Sequence, residues 1–239
     1  EFAKKYYTRL ILQTGFLFLA LFLYLIFLVP LALKQIGPEM FIISGVISLA
    51  LITLFIKLLI RLVPERISDH RGLLRGIIIL IFGVMNVLYF LNIIPPLPLA
   101  LREIGIYHSV VRSGTDYDVM DEPSGFFDFF KTRKTLHVST GDSLYAYSAI
   151  FAPANFGVSV MHQWQKYNED EKRWITFSTV SFPIVGGSDG GYRGYSIKGT
   201  PTPGSWRVDV KTIQGQVIGR INFIVESAST TPPLFSRTL

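Results

Sequence analysis

Four histidines, a run of acids and a glycine-rich stretch are where this sequence could do chemistry. His162 shares an alternating face with Val158, Val160 and Trp164, which predicts a buried or half-buried imidazole bonded to backbone. His70, His108 and His137 are scattered, no two histidines have metal-ligand spacing, and cysteine is absent, so no zinc site is expected. Asp116, Asp118, Asp121 and Glu122 lack the central glycine and distal glutamate of a calcium loop, and predict a solvated loop. The glycine-rich stretch 186–194 runs from one strand pattern into another, with neither the following helix nor the Lys-Ser/Thr pair of a phosphate loop. Its side chains offer a different possibility. Asp189, Tyr192, Arg193 and Tyr195 form a candidate recognition edge for a sugar, a peptide or a partner protein, and His162 is a further candidate interaction residue. No Gly-x-Ser-x-Gly elbow and no paired-carboxylate site stands in the chain. No catalytic residue, metal or cofactor is expected.

The elements that must carry these residues are of two kinds. Residues 10–33, 40–61 and 75–94 are long apolar runs with Leu, Ile, Phe and Val on every face. A helix needs roughly 20 apolar residues to cross the hydrocarbon core of a bilayer, and an amphipathic soluble helix would interrupt such runs with polar residues. Three transmembrane helices are predicted. Gly72, Gly76 and Gly83 lie on one face of the third, predicted to pack against the first two helices, with a docking seam for a partner helix as the other reading. Asn86 and Asn92 are its most polar residues, expected to bond a neighbouring helix. Pro64 is expected to stop the second helix and Pro95 the third.

Charge divides the same way. Residues 1–100 carry nine Lys/Arg against four acids, and residues 101–239 are nearly neutral. A nucleic-acid-binding domain would need a basic face on the soluble half, so that class is set aside. The basic residues cluster before the first run and between Lys57 and Arg75, which places the amino end and the second loop in the cytoplasm and everything after residue 94 outside it. The first residue is Glu, which leads us to expect further residues upstream.

Beyond residue 96 the period changes. Residues 97–105 are expected to connect along the membrane interface, and 106–226 to form an immunoglobulin-like β-sandwich of about eight strands. Trp206, Val208 and Val210 alternate with Arg207, Asp209 and Lys211, and a turn at Gln214-Gly215 leads into a second alternating run, which predicts a hairpin. The aromatic cluster 126–130 falls in a long connection. Residues 227–239, rich in Ser, Thr and Pro, are expected to be a flexible tail.

Several segments carry a resemblance. They are Asn92-Ile-Ile-Pro-Pro-Leu-Pro, Ile106-Tyr-His-Ser, Phe151-Ala-Pro, His162-Gln-Trp, the stretch from Pro183 through the glycines to Tyr195, Gly204-Ser-Trp-Arg-Val-Asp-Val and Gly219-Arg-Ile-Asn-Phe. Over nearly its whole length the chain resembles bacterial multi-pass membrane proteins bearing the carboxyl-terminal domain-of-unknown-function family twenty-nine-fourteen. The resemblance implies topology and fold, and longer amino ends with more helices, but no activity. Two functions are expected from the fold type, the lack of a catalytic constellation, the small-residue face of the third helix and the glycine-rich stretch. One is a non-enzymatic accessory or scaffold subunit of the bacterial inner membrane whose periplasmic domain docks on other membrane proteins. The alternative is an envelope ligand-binding or sensing module that uses residues 186–195.

Overall fold

The computed structural model describes residues 2–62, 71–94, 98–123, 133–153, 157–185, 191–230 and 232–239. Pro64, His70, Pro95, the aromatic cluster 126–130 and Asp189 lie outside them. Two compact units divide the chain, residues 1–98 and 99–239.

The first unit holds α1 (Phe2–Leu33), α2 (Pro38–Leu62) and α3 (Arg71–Phe90). Spans within them, Ile11–Leu33, Pro38–Leu62 and Gly72–Phe90, are long and apolar enough to cross a membrane. Their ends follow from local chemistry. At the end of α1, Lys34 turns left-handed (φ 52°) and the Gln35 amide donates to the Pro30 carbonyl at 3.2 Å. Gly37 then caps α2 and accepts from Met40 at 3.1 Å, with Pro38 at the first helical position, where its missing N–H costs nothing. Asn92 closes α3 with φ 56°: its amide donates to Tyr89 and the Ile93 amide to Leu88, both at 3.0 Å. That is a Schellman cap, in which asparagine tolerates the left-handed turn.

Each helix buries one stripe and leaves the rest apolar. Phe18, Phe22 and Ile26 of α1 meet Phe41 and Ile52 of α2 and Leu74, Ile78, Met85 and Tyr89 of α3. The Phe41 and Tyr89 rings stack with centroids 3.8 Å apart. Meanwhile Phe16, Leu54, Ile79 and Leu80 are more than 60 % exposed, a pattern suited to lipid and ruinous in water. Small residues permit the close approach between helices: an added Cβ at Gly45 would lie 2.8 Å from the Phe82 ring, and one at Gly15 would lie 3.1 Å from Ile77.

The expected role of Gly72, Gly76 and Gly83 is therefore corrected. A Cβ at any of the three would meet nothing within 4 Å. At 3.6 residues per turn they sit roughly 150° around α3 from its buried residues. They do not pack on α1 or α2. The side-chain amides are corrected too: Asn86 donates to the Phe82 carbonyl of its own helix at 2.7 Å, and Asn92 lies exposed at the cap, where its backbone N–H makes the closing bond.

The second unit is all β, with eleven strands among the described residues. A central sheet runs β1 (Ala100–Tyr107), β5 (Ser143–Phe151), β8 (Tyr192–Gly199). A large sheet runs β4 (Lys134–Val138), β10 (Val217–Ser227), β9 (Gly204–Thr212), β6 (Gly157–Asn168), β7 (Arg173–Val185). A small one runs β11 (Phe235–Thr238), β3 (Asp116–Asp121), β2 (Ser109–Ser113). All pairs are antiparallel except β4 with β10. Because successive side chains point to opposite faces, β5 serves two cores. Leu144 and Ala146 pack with Trp164, Trp206, Val208 and Phe223 of the large sheet, while Tyr147 and Ala149 pack with Val110, Tyr117 and Val119 of the small one. Trp164, Trp206 and Phe223 are at most 1 % exposed, and burial of each such ring stabilises by roughly 1.5–3 kcal/mol.

The apolar helices followed by a β-sandwich, and the 206–225 hairpin, stand as expected; Gly215 makes its turn at φ 85°. Three expectations do not. Residues 100–105 are not an interfacial connection but the start of β1, in register with β5. The acidic run is not a solvated loop, because Tyr117 and Val119 between the acids anchor it as β3. The tail from 235 is not flexible but is β11, paired with β3 from Phe235↔Asp121 to Thr238↔Asp118.

Candidate functional site

His162 sits on β6, between the central and large sheets, and is fully buried. Its Nε2 lies 2.8 Å from the Ser148 hydroxyl of β5, its Nδ1 2.9 Å from the Ser196 hydroxyl of β8, and Trp164 Nε1 donates to Ser196 at 2.9 Å. One ring nitrogen of a neutral imidazole donates and the other accepts, so the two hydroxyls satisfy it in either tautomer. Burial pushes its pKa down to about 4. Phe182 stacks edge-on at 4.9 Å. Ser148 beside His162 has the spacing of a nucleophile and its base, but both are 0 % exposed and the third member is a serine, not an acid. The bonds run to side chains rather than to backbone, and they tie three strands of two sheets together.

The glycine-rich edge separates on inspection. Gly191 opens β8 at φ 78°, where an added Cβ would stand 3.2 Å from the Ile150 carbonyl oxygen, so only glycine fits there. Arg193 is tied to neighbouring segments: it donates to the Thr115 carbonyl at 3.2 Å, the Asp116 carboxylate at 3.1 Å and the Leu239 carbonyl at 3.0 Å. Tyr192 is half-buried. Tyr195 alone of the four proposed residues is both described and exposed, at 38 %, beside Ile197 at 49 %. Its ring lies 6.1 Å from Tyr145 and 6.2 Å from Tyr117. Arg193 and Tyr195 share one face of β8 beside Tyr117, with Arg193 engaged by Asp116 and two carbonyls and Tyr195 exposed.

The fold assembles a second histidine cluster whose members are far apart in sequence. Glu122, at the end of β3, receives His108 Nε2 at 2.8 Å, His137 Nδ1 at 2.8 Å and the His137 amide at 2.6 Å. The Glu122 side chain is 9 % exposed and that of His108 5 %. Burial alone would raise the Glu122 pKa, but the bonds from His137 and His108 outweigh it and hold the carboxyl below its ordinary value. The bond to Glu122 raises the His137 pKa against a small opposing effect of burial. Glu226 of β10 stands 3.8 Å from His137 Nε2. No group of three or more ligand side chains placed to hold a metal ion occurs among the described residues. The cluster braces the small sheet against β4 of the large one. On the outer face of the large sheet Asp209 is likewise buried; burial would raise its pKa, but Arg220, donating from Nε and Nη2, and nearby Lys211 keep it low.

An open cleft of about 350 Å³ lies where the β6–β7 hairpin meets the start of β9, lined by Lys166, Tyr167, Ile175, Phe177, Gly204 and Ser205. Phe177 is 52 % exposed at its mouth. Nothing in the sequence pattern marked it, since its walls come from three strands.

Strands β6 to β10, then, are the part of the domain in which the resembling motifs concentrate, and they can be set beside known families. Residues 158–225 match the family described as a protein of unknown function, DUF2914. The match covers this strand block rather than nearly the whole chain, and the membrane setting rests on the apolar helices. No curated protein matches. Among solved structures, an immunoglobulin-like protein from Pseudomonas aeruginosa is 12 % identical, with a TM-score of 0.29, over 54 % of this chain and 96 % of that one. An alkylpurine DNA glycosylase from Pseudomonas fluorescens, bound to DNA containing an abasic site analog, is 13 % identical at a TM-score of 0.29, over 52 % of this chain and 30 % of its own. A β-glucosidase from Listeria innocua in complex with gluconolactone is 11 % identical at 0.27, over 52 % of this chain and 16 % of its own. At these scores nothing that those proteins bind or act on passes to this chain.

Proposed function

We propose that the chain is a non-enzymatic accessory subunit, anchored in a bacterial inner membrane, whose β domain docks on a partner membrane protein from the periplasmic side. The observation that carries the reading is the direction in which the polar chemistry points. His162 and Glu122 are turned inward, Asp209 is buried beside Arg220 on the outer face of its sheet, and all three hold strands or sheets together. The exposed apolar residues of the β domain include the Tyr195–Ile197 edge of β8, which is contact chemistry. The glycine face of α3, turned away from α1 and α2, is compatible with a neighbouring helix in lipid. The excess of Lys/Arg at the amino end and around the second loop supports an amino end in the cytoplasm. A periplasm-dependent reporter fused after Leu239 checks the topology: activity is expected, and a silent reporter beside an active cytoplasmic one would reverse it. The role is tested by mild extraction from native membranes, native-gel separation and mass spectrometry. Migration in one assembly at fixed stoichiometry is expected; migration alone would remove the reading.

The cleft by Phe177 favours a second reading, an envelope ligand module, with the site moved there from residues 186–195. Its size is at the lower end of small-molecule sites. A rise in Tm with soluble disaccharides or tripeptides, lost on Phe177→Ala, would support this reading over the first.

A further inference from the structure

Five strands stand at sheet edges besides β8, and each is short, irregular or interrupted. β2, β4 and β11 have five, five and four residues. The β1 register slips between Leu101 and Glu103. β7 contains Pro183 and faces a register shift at Trp164/Gln165. These are the devices by which sheets discourage a further strand. β8 is neither short nor interrupted, and the charges it carries are Arg193, bonded to Asp116, and Lys198. Its eight residues pair with β5 in unbroken register from Tyr192↔Ile150 to Gly199↔Ser143, and it contains no proline. Among the described residues nothing pairs with its other edge.

The side chains along that edge are apolar on one face and cationic on the other. Tyr195 and Ile197 are exposed and lie beside Tyr145. On the opposite face, Lys198 Nζ stands 5.7 Å from the Phe177 ring centroid and 6.0 Å from that of Trp206, with no carboxylate partner among the described residues. Toward the start of the strand the edge is closed, because the Tyr117 hydroxyl donates to the Arg193 carbonyl at 3.3 Å. The open stretch is 194–199. A row of backbone donors and acceptors spaced for a sheet is complemented by another extended backbone and by no lipid or sugar.

We infer that β8 is a docking edge that accepts an extended strand from a partner protein. That strand has apolar side chains on the face beside Tyr195 and Ile197 and an acidic residue opposite Lys198. This rests on the docking reading and names the surface it uses.

The test uses the full chain in its native membranes, with a photo-crosslinking phenylalanine analogue at Ile197 and, as control, at Val111, which is 58 % exposed on β2. Amide exchange is followed over 192–199 in the extracted assembly and in the chain stripped of it. The expected result is crosslinking from 197, not 111, into an alternating apolar stretch of a second protein, with alternate amides of 194–199 slowed about tenfold or more in the assembly. Crosslinks from 197 into lipid, into a second copy of this chain or into its own residues 124–132 would overturn the inference. So would unchanged exchange in an intact assembly, and that result would leave the docking reading standing with another surface. Failure of the unaltered chain to enter any assembly would remove both. Ile197→Lys, at an exposed position, should leave Tm unchanged while releasing the partner.

Discussion

The β domain contains two histidine clusters that solve opposite problems. His162 is held by two serines in an apolar interior, and burial keeps it neutral. His137 is held by a carboxylate near the surface, and that bond favours its charged form. The same side chain is thus used once as a neutral cross-brace and once as a charged clamp. What differs is the partner: hydroxyls satisfy an imidazole without stabilising its charge, whereas a carboxylate stabilises the cation.

The contrast fixes the sign of each pH dependence. His162 has a folded pKa below its unfolded one, so its contribution is complete above about 6.5 and is lost as pH falls toward about 4. His137 has a raised folded pKa, so its contribution is complete below its ordinary value of 6.5 and is lost as pH rises through the folded value. Glu122, with a lowered pKa, contributes above the ordinary carboxylate value and loses that contribution as pH falls through its folded value.

The largest effect should come from breaking the neutral brace. His162→Ala leaves a cavity and two hydroxyls without their ring partner, and should destabilise the β domain by about 3–4 kcal/mol in urea unfolding of the detergent-solubilised chain. In the unaltered chain, acidification from pH 6.5 to 4 should lower stability by about 3 kcal/mol, since each pKa unit is worth about 1.4 kcal/mol. The alanine variant should lose most of that slope; an unchanged slope would mean that His162 does not titrate there. Breaking the clamp comes next. Glu122→Gln should cost about 1.5–3 kcal/mol and return the His137 titration toward its ordinary value in NMR. The smallest effect belongs to Tyr147, whose buried hydroxyl has no partner among the described residues and whose pKa burial raises to about 12. Tyr147→Phe should be neutral or slightly stabilising, a baseline for the cost of an ordinary buried substitution.

How far the sequence could be read differed along the same lines. The spans were legible because a bilayer imposes a length and an apolar composition on each helix separately. The 206–225 hairpin was legible because alternation and a turn lie in one short stretch. The role of Gly72, Gly76 and Gly83 was not, because periodicity gives a face but not the neighbour that covers it. The inward burial of His162 was readable from Val160 and Trp164, whereas Ser148 and Ser196, from other strands, were not. The Glu122 cluster was invisible for the same reason, as His108, Glu122 and His137 meet only after the small sheet has packed. Residues 116–122 read as a loop because four acids obscured the two inward residues, Tyr117 and Val119, that decide the strand.

The small sheet also bears on the order in which the domain can be made. β3 sits between β2, its neighbour in sequence, and β11, whose Phe235 pairs with Asp121. A ribosome delivers β3 more than a hundred residues before it delivers that partner, and contacts of such long range close slowly. Through that interval one edge of β3 waits open beside an incomplete core. Asp116, Asp118 and Asp121 line the waiting strand, and their like charges make it a poor template for another nascent copy.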